Sequence, residues 1–150
     1  DHADTQNVGV YVEATPEIAE RIDQATALEL APIAQAFCGM IVESEQHAER
    51  GNDLTSRIGN SDLGNLGTCG KFGFCGAVAP VACYTCRSFQ PWLDAPHDEL
   101  LETLVNERER LLHETGDHRI ASINDRTIIA VADVFRQCQN ILQKHGDVRA

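Results

Sequence analysis

The chain has 150 residues, 43% of them apolar and 23% charged, which suits one folded domain with or without an appendage and leaves material for a core. With 23 acidic against 12 basic residues its formal net charge is −11. A module that grips nucleic acid through its phosphates is normally basic, so most of this chain is excluded as an independent DNA-binding unit. Nowhere do about eighteen apolar residues run together, which predicts no membrane span.

No leader pattern is visible and the chain opens at Asp1, so it reads as a piece of a longer protein. The segment from Asp1 to Thr15 has no helical period, but it places His2 and Tyr11 nine positions apart. On residue chemistry alone these are a surface histidine and a packing tyrosine. The spacing resembles the last catalytic box of the tyrosine recombinases (phage integrases and their relatives), in which a Leu-Gly-His turn precedes the nucleophilic tyrosine by the same interval. Asp1 stands where that family usually has Gly, and Asn7 and Val8 stand where threonines are common. The cysteine-rich remainder resembles, less specifically, C-terminal extensions on some integrases of mobile elements.

The resemblance implies phosphoryl transfer. Tyr11 would attack a scissile DNA phosphate, leaving a 3′-phosphotyrosyl link and a free 5′-hydroxyl, while His2 donates to a non-bridging oxygen. The family's arginines and lysine precede this box, and Arg21 and Arg50 follow the tyrosine, so neither is transferred into those roles. The implied protein is therefore the C-terminal fragment of a site-specific recombinase, inactive by itself. It would reach DNA only through the full-length enzyme, together with other recombinase protomers, in the bacterial cytoplasm and nucleoid.

After the tyrosine, Thr15-Pro16-Glu17 has a hydroxyl cap, a first-turn proline and an acid, and so predicts a helix start. Ile18, Ile22, Ala25 and Leu28 follow a helical period, Pro32 interrupts it, and Ile33 to Ile41 continue it to about Glu45. This stripe is core packing or, as the resemblance implies, a helix exchanged with a neighbouring protomer. Residues 47–68 hold four glycines and three asparagines with little apolar period, and read as a loop joining two units. His47 within it is a solvated linker residue.

Four of the six cysteines, Cys69, Cys75, Cys83 and Cys86, fall within eighteen residues at spacing C-x5-C-x7-C-x2-C. Zinc takes four soft ligands at tetrahedral corners, and a Cys-x-x-Cys turn supplies two of them, so the spacing predicts a structural Zn2+ site. An iron–sulfur cluster is the second option, and two disulfides or plain buried thiols are the bland ones. A redox pair at Cys83 and Cys86 lacks the strand-then-helix setting that positions such thiols. Tyr84 between them reads as structural, because aromatics replace a missing core in small metal modules. His97 is the substitute ligand should one cysteine not take part.

Phe89, Pro91, Trp92 and Leu93 form the densest bulky cluster, suited to packing the cysteine loop onto the residues beyond it. A helix is predicted from Asp94-Ala95-Pro96, with a stripe of Leu100, Leu101, Leu104, Val105, Leu111 and Leu112, closed at Thr115-Gly116. Another carries Ile120, Ile123, Thr127, Val131, Val134, Cys138 and Ile141, which makes Cys138 a core residue. Their short link predicts an antiparallel hairpin.

The fold expected is mainly α: helices after the nucleophile, then a zinc-stapled loop, then the hairpin. The division expected is 1–46 as the end of a recombinase catalytic domain, 47–68 as linker, and 69–150 as a helical module with a four-cysteine metal site, whose acidity favours protein contacts. The competing function is a non-enzymatic, zinc-stabilised helical module for protein interaction.

Overall fold

A computed structural model describes residues 36–71 and 75–149. The helical segments expected between Thr15 and residue 35 lie outside them, as do His2 and Tyr11.

The described chain is not mainly α. A three-stranded antiparallel sheet precedes the helices, in the order β1 (Arg57–Asn60), β2 (Gly64–Cys69), β3 (Phe89–Pro91). β1 and β2 form a hairpin, with Arg57 opposite Thr68 and an irregularity between Ile58 and Gly59. β3 returns against the end of β2, pairing Thr68 with Gln90 and Cys69 with Phe89. The stretch read as a linker thus carries β1 and nearly all of β2. These strands read Arg-Ile-Gly-Asn and Gly-Asn-Leu-Gly-Thr-Cys, poor in the β-branched and aromatic residues that announce a strand. Pairing, not propensity, makes them strands.

The expected helix through Ile41 to Glu45 is also corrected over its described part. Residues 36–44 are not helical, and Val42 instead makes a parallel bridge to Trp92. The Val42 N–H donates to the Pro91 carbonyl at 3.0 Å and the Leu93 N–H donates to the Val42 carbonyl at 2.9 Å, so this segment extends alongside the sheet. Gly39 is required there: a Cβ at this position would lie 2.1 Å from the Phe89 carbonyl oxygen. A single turn of 3-10 helix, Glu45–His47, follows; His47 is exposed and bonds to the Ser44 hydroxyl, as a solvated histidine would.

The zinc-stapled loop falls with the mainly α expectation. Cys69 closes a strand rather than lying in a loop. Among the described residues, no three His, Cys, Asp or Glu side chains form a group that could hold a metal ion. In place of a compact staple there is a pair of thiol-bearing arms folded against a sheet.

The helical part agrees more closely with the patterning. α1 (His97–Thr115) buries Leu100, Leu101, Leu104 and Val105 and ends at Gly116, whose φ of 65° is the left-handed cap a glycine supplies freely. A four-residue turn, α2 (His118–Ala121), is capped by Asp117 and leads into α3 (Asp125–Arg149). Ile120 and Ile123, placed on the core stripe by their spacing, belong to this connection and are exposed, Ile123 by 76%. From Ile128 onward the stripe is as expected, with Val131, Val134 and Cys138 buried and Ile141 packed against them.

Phe37, Leu66, Tyr84, Phe89 and Leu93 join the stripes of α1 and α3 in one core. The two helices are also tied by a buried ion pair, Arg108 Nε donating to Asp125 Oδ1 at 2.7 Å and a terminal guanidinium N–H donating to Oδ2 at 3.1 Å. The 3-10 helix Val81–Thr85, which carries Cys83 and Tyr84, packs on α3. None of the described helices is long and apolar enough to cross a membrane.

Candidate metal centre

Four cysteines from separate local structures face one hollow. Cys69, Cys75, Cys83 and Cys86 together line a cavity of about 170 Å3, walled by Ile58, Phe89 and the alanines at 77, 79 and 82, with Lys71 at its margin. Cys69 is the last residue of β2, Cys83 lies inside the 3-10 helix, Cys86 caps that helix, and Cys75 stands in an exposed irregular stretch. The Cys83–Cys86 pair is therefore a 3-10 knuckle and not the start of an α-helix, which removes the setting that acidifies a redox thiol.

Two sets of bonds hold the arms in place. The Gly70 N–H donates to the Ser88 carbonyl at 2.7 Å, joining the chain just past Cys69 to the chain just past Cys86. Arg50 donates to the Lys71 carbonyl and to the Asp53 carboxylate, so it clamps the outgoing end of the Cys69 arm. The Thr55 hydroxyl, and after it Arg50, hold the Asp53 carboxyl down to about 2, so the clamp keeps its negative partner. Within the knuckle the Cys86 N–H donates to the Cys83 carbonyl at 2.9 Å, and the Ser88 N–H points at Cys86 Sγ from 3.5 Å.

Behind the knuckle runs a second, fully buried chain of bonds. Tyr84 has 0% of its surface exposed and His97 has 1%. His97 Nε2 lies 2.7 Å from the Trp92 carbonyl, which can only accept, so Nε2 carries the proton. Nδ1 then holds a lone pair, and the Tyr84 hydroxyl donates to it at 2.6 Å. The Trp92 indole N–H in turn donates to the Thr68 hydroxyl at 2.9 Å, one residue before Cys69. This chain ties the knuckle, the start of α1 and the Cys69 arm together. Burial lowers the His97 pKa and raises that of Tyr84, so both groups stay neutral.

His97 is thereby withdrawn as a substitute ligand, since both ring nitrogens are engaged and the ring faces Tyr84 rather than the cavity. Tyr84 is structural, as its place between two cysteines suggests. The remaining cysteines stand apart: Cys138 is buried in the α3 stripe, where desolvation pushes its thiol up to about 12, and Cys38 is exposed. His2 and Tyr11 lie outside the described residues, so the geometry does not bring them to this centre or place them away from it.

The donor set is soft. Among the described residues that line the hollow no carboxylate occurs, which suits thiophilic metals and not calcium or magnesium. Burial pushes the Cys83 thiol up to about 11, and the neighbouring thiols of Cys69, Cys86 and Cys75 push in the same direction. Cys83 therefore stays a thiol at neutral pH unless a positive centre joins it. A bound metal would supply that charge, and its binding would release the Cys83 proton.

Comparison with known proteins finds no matching family model, and no curated protein or solved structure significantly similar to the chain.

Proposed function

We propose that residues 36–149 form a thiolate metal centre joined to a helical hairpin, and that this unit is the assembly tail of a DNA-breaking and rejoining enzyme of the tyrosine recombinase class. The metal-binding part is carried by one observation, the convergence of Cys69, Cys75, Cys83 and Cys86 on a single cavity that, among the described residues, no carboxylate lines. The recombinase part is supported by the nine-residue step from His2 to Tyr11 and by the cysteine-rich tail behind it. On this reading Tyr11 is the nucleophile and His2 a donor to the phosphate. Arginines supplied by the preceding part of the enzyme complete the site, and the work is done on DNA in the cytoplasm, at the nucleoid.

Residues 36–149 carry 16 acidic against 11 basic side chains, which supports protein partners for the tail, such as the catalytic domain or another protomer, over direct contact with DNA. The competing reading is a non-enzymatic adaptor built on the same metal centre. The two separate cleanly. The full-length protein should form a covalent adduct with a nicked DNA substrate, visible as a denaturation-resistant band, and Tyr11→Phe should abolish it. A full-length protein that gives no adduct, or an adduct unaffected by Tyr11→Phe, leaves the adaptor.

A further inference from the structure

We infer that the four cysteines hold a [4Fe–4S] cluster and not a single metal ion. This rests on the thiolate centre proposed above and names its occupant. A lone zinc ion draws its thiolates to about 2.3 Å, which brings the four sulfurs to within about 3.8 Å of one another and leaves no space among them. Here the four cysteines, with six other residues, line a hollow of about 170 Å3. A single water needs only about 10–15 Å3 on this measure, so the hollow is far larger than an ion requires. Four thiols lining one roomy hollow are what a cubane of four irons and four sulfides needs, because its irons sit at the corners and each takes one cysteine from outside.

The surroundings fit such a core. Ile58, Ala77, Ala79, Ala82 and Phe89 give it a soft apolar wall, suited to bulky, polarizable sulfides that ask for few hydrogen bonds. Four thiolates on the cluster leave the assembly anionic, and two features offset this. Lys71 stands at the margin, and the Ser88 N–H is aimed at Cys86 Sγ. Loading is a ligand exchange: each cysteine sulfur bonds one iron of a preformed thiolate-ligated cluster, and its proton passes to the thiolate it displaces. No electron is transferred, so no oxidant or reductant is involved.

The test is made on the whole 150-residue chain, prepared anaerobically. The chain as isolated, and metal-free chain exposed to a preformed thiolate-ligated cluster, are assayed for iron, acid-labile sulfide, zinc and visible absorbance. About four irons and four sulfides per chain, with broad visible absorbance that bleaches on reduction, are expected. Cys138→Ser, outside the cavity, keeps this content, whereas Cys83→Ser or Cys86→Ser lowers the iron retained by about tenfold or more. Where a serine variant does not fold, cluster uptake by the unaltered chain decides the matter. One zinc per chain, a colourless protein and no cluster uptake overturn the cluster and keep the thiolate centre. Binding of neither zinc nor cluster overturns both.

Discussion

The sheet half of this molecule and its helical half are held together by different means. The hairpin of α1 and α3 closes by burying Leu100, Leu101, Leu104 and Val105 against Ile128, Val131 and Val134, with one buried ion pair between the helices. The sheet half has three short strands and several glycines, sends Leu66, Tyr84 and Phe89 into the same core, and adds polar links between its segments. The bond chain Tyr84–His97–Trp92–Thr68 and the Arg50 clamp cross-connect these segments. The thiol centre sits in this half. A metal held there would add one more cross-link to this network.

The largest expected effect tests the helical side. Arg108 and Asp125 have side-chain exposures of only 7% and 1%, so Asp125→Ala removes the buried counter-charge of that guanidinium. A loss of about 3–5 kcal/mol in denaturant unfolding is expected. The double variant Arg108→Met with Asp125→Leu should recover most of it, since two apolar side chains remove both charges together. No recovery would mean that the pair does more than neutralise itself.

On the sheet side the effects are smaller and local. Tyr84→Phe keeps the ring among Phe89 and its neighbours but leaves His97 Nδ1 a buried acceptor without a donor, at a cost of about 1–3 kcal/mol. Amide exchange should quicken first in β3 and the 3-10 knuckle, while the middle of α3 keeps its protection. Uniform loss of protection across both halves would show that they unfold as one unit and would remove the distinction between them.

The smallest effect is one of pH. Burial holds the His97 imidazole below its ordinary value of 6.5, so the unfolded chain takes up a proton before the folded one does. The contribution of neutral His97 is therefore present above about pH 6.5 and is lost as the pH falls below that, toward the lower folded value. His97→Gln, which does not titrate, should flatten this part of the stability profile measured by denaturant midpoint. An unchanged profile would place the acid sensitivity on other groups.

The contrast between the halves also explains which parts of the fold are legible from residue order alone. Leu100 to Val105 and Val131 to Cys138 repeat at helical intervals, and a one-dimensional period is enough to place a helix face. The strands carry no such period, since β1 and β2 hold three glycines and two asparagines among ten residues. β2 gains its identity from β1 and from β3, and β3 lies beyond the whole cysteine-bearing stretch. Ile120 and Ile123 failed for the converse reason: they kept the helical spacing across a break set by Asp117 and a short turn.

The candidate site divides along the same line. The sequence by itself determined the candidate donors, because a cysteine sulfur is a soft ligand wherever the backbone takes it, and it determined the two helix faces, because periodicity is local. Only the tertiary structure decided the rest. Antiparallel pairing set Cys69 beside Phe89, and a 3-10 turn carried Cys83 to the same hollow. The Trp92 carbonyl and the Tyr84 hydroxyl claimed both nitrogens of His97 and so removed it from the ligand set. Ligand type is a property of single residues, whereas the width of the space among them depends on contacts between segments far apart in the chain.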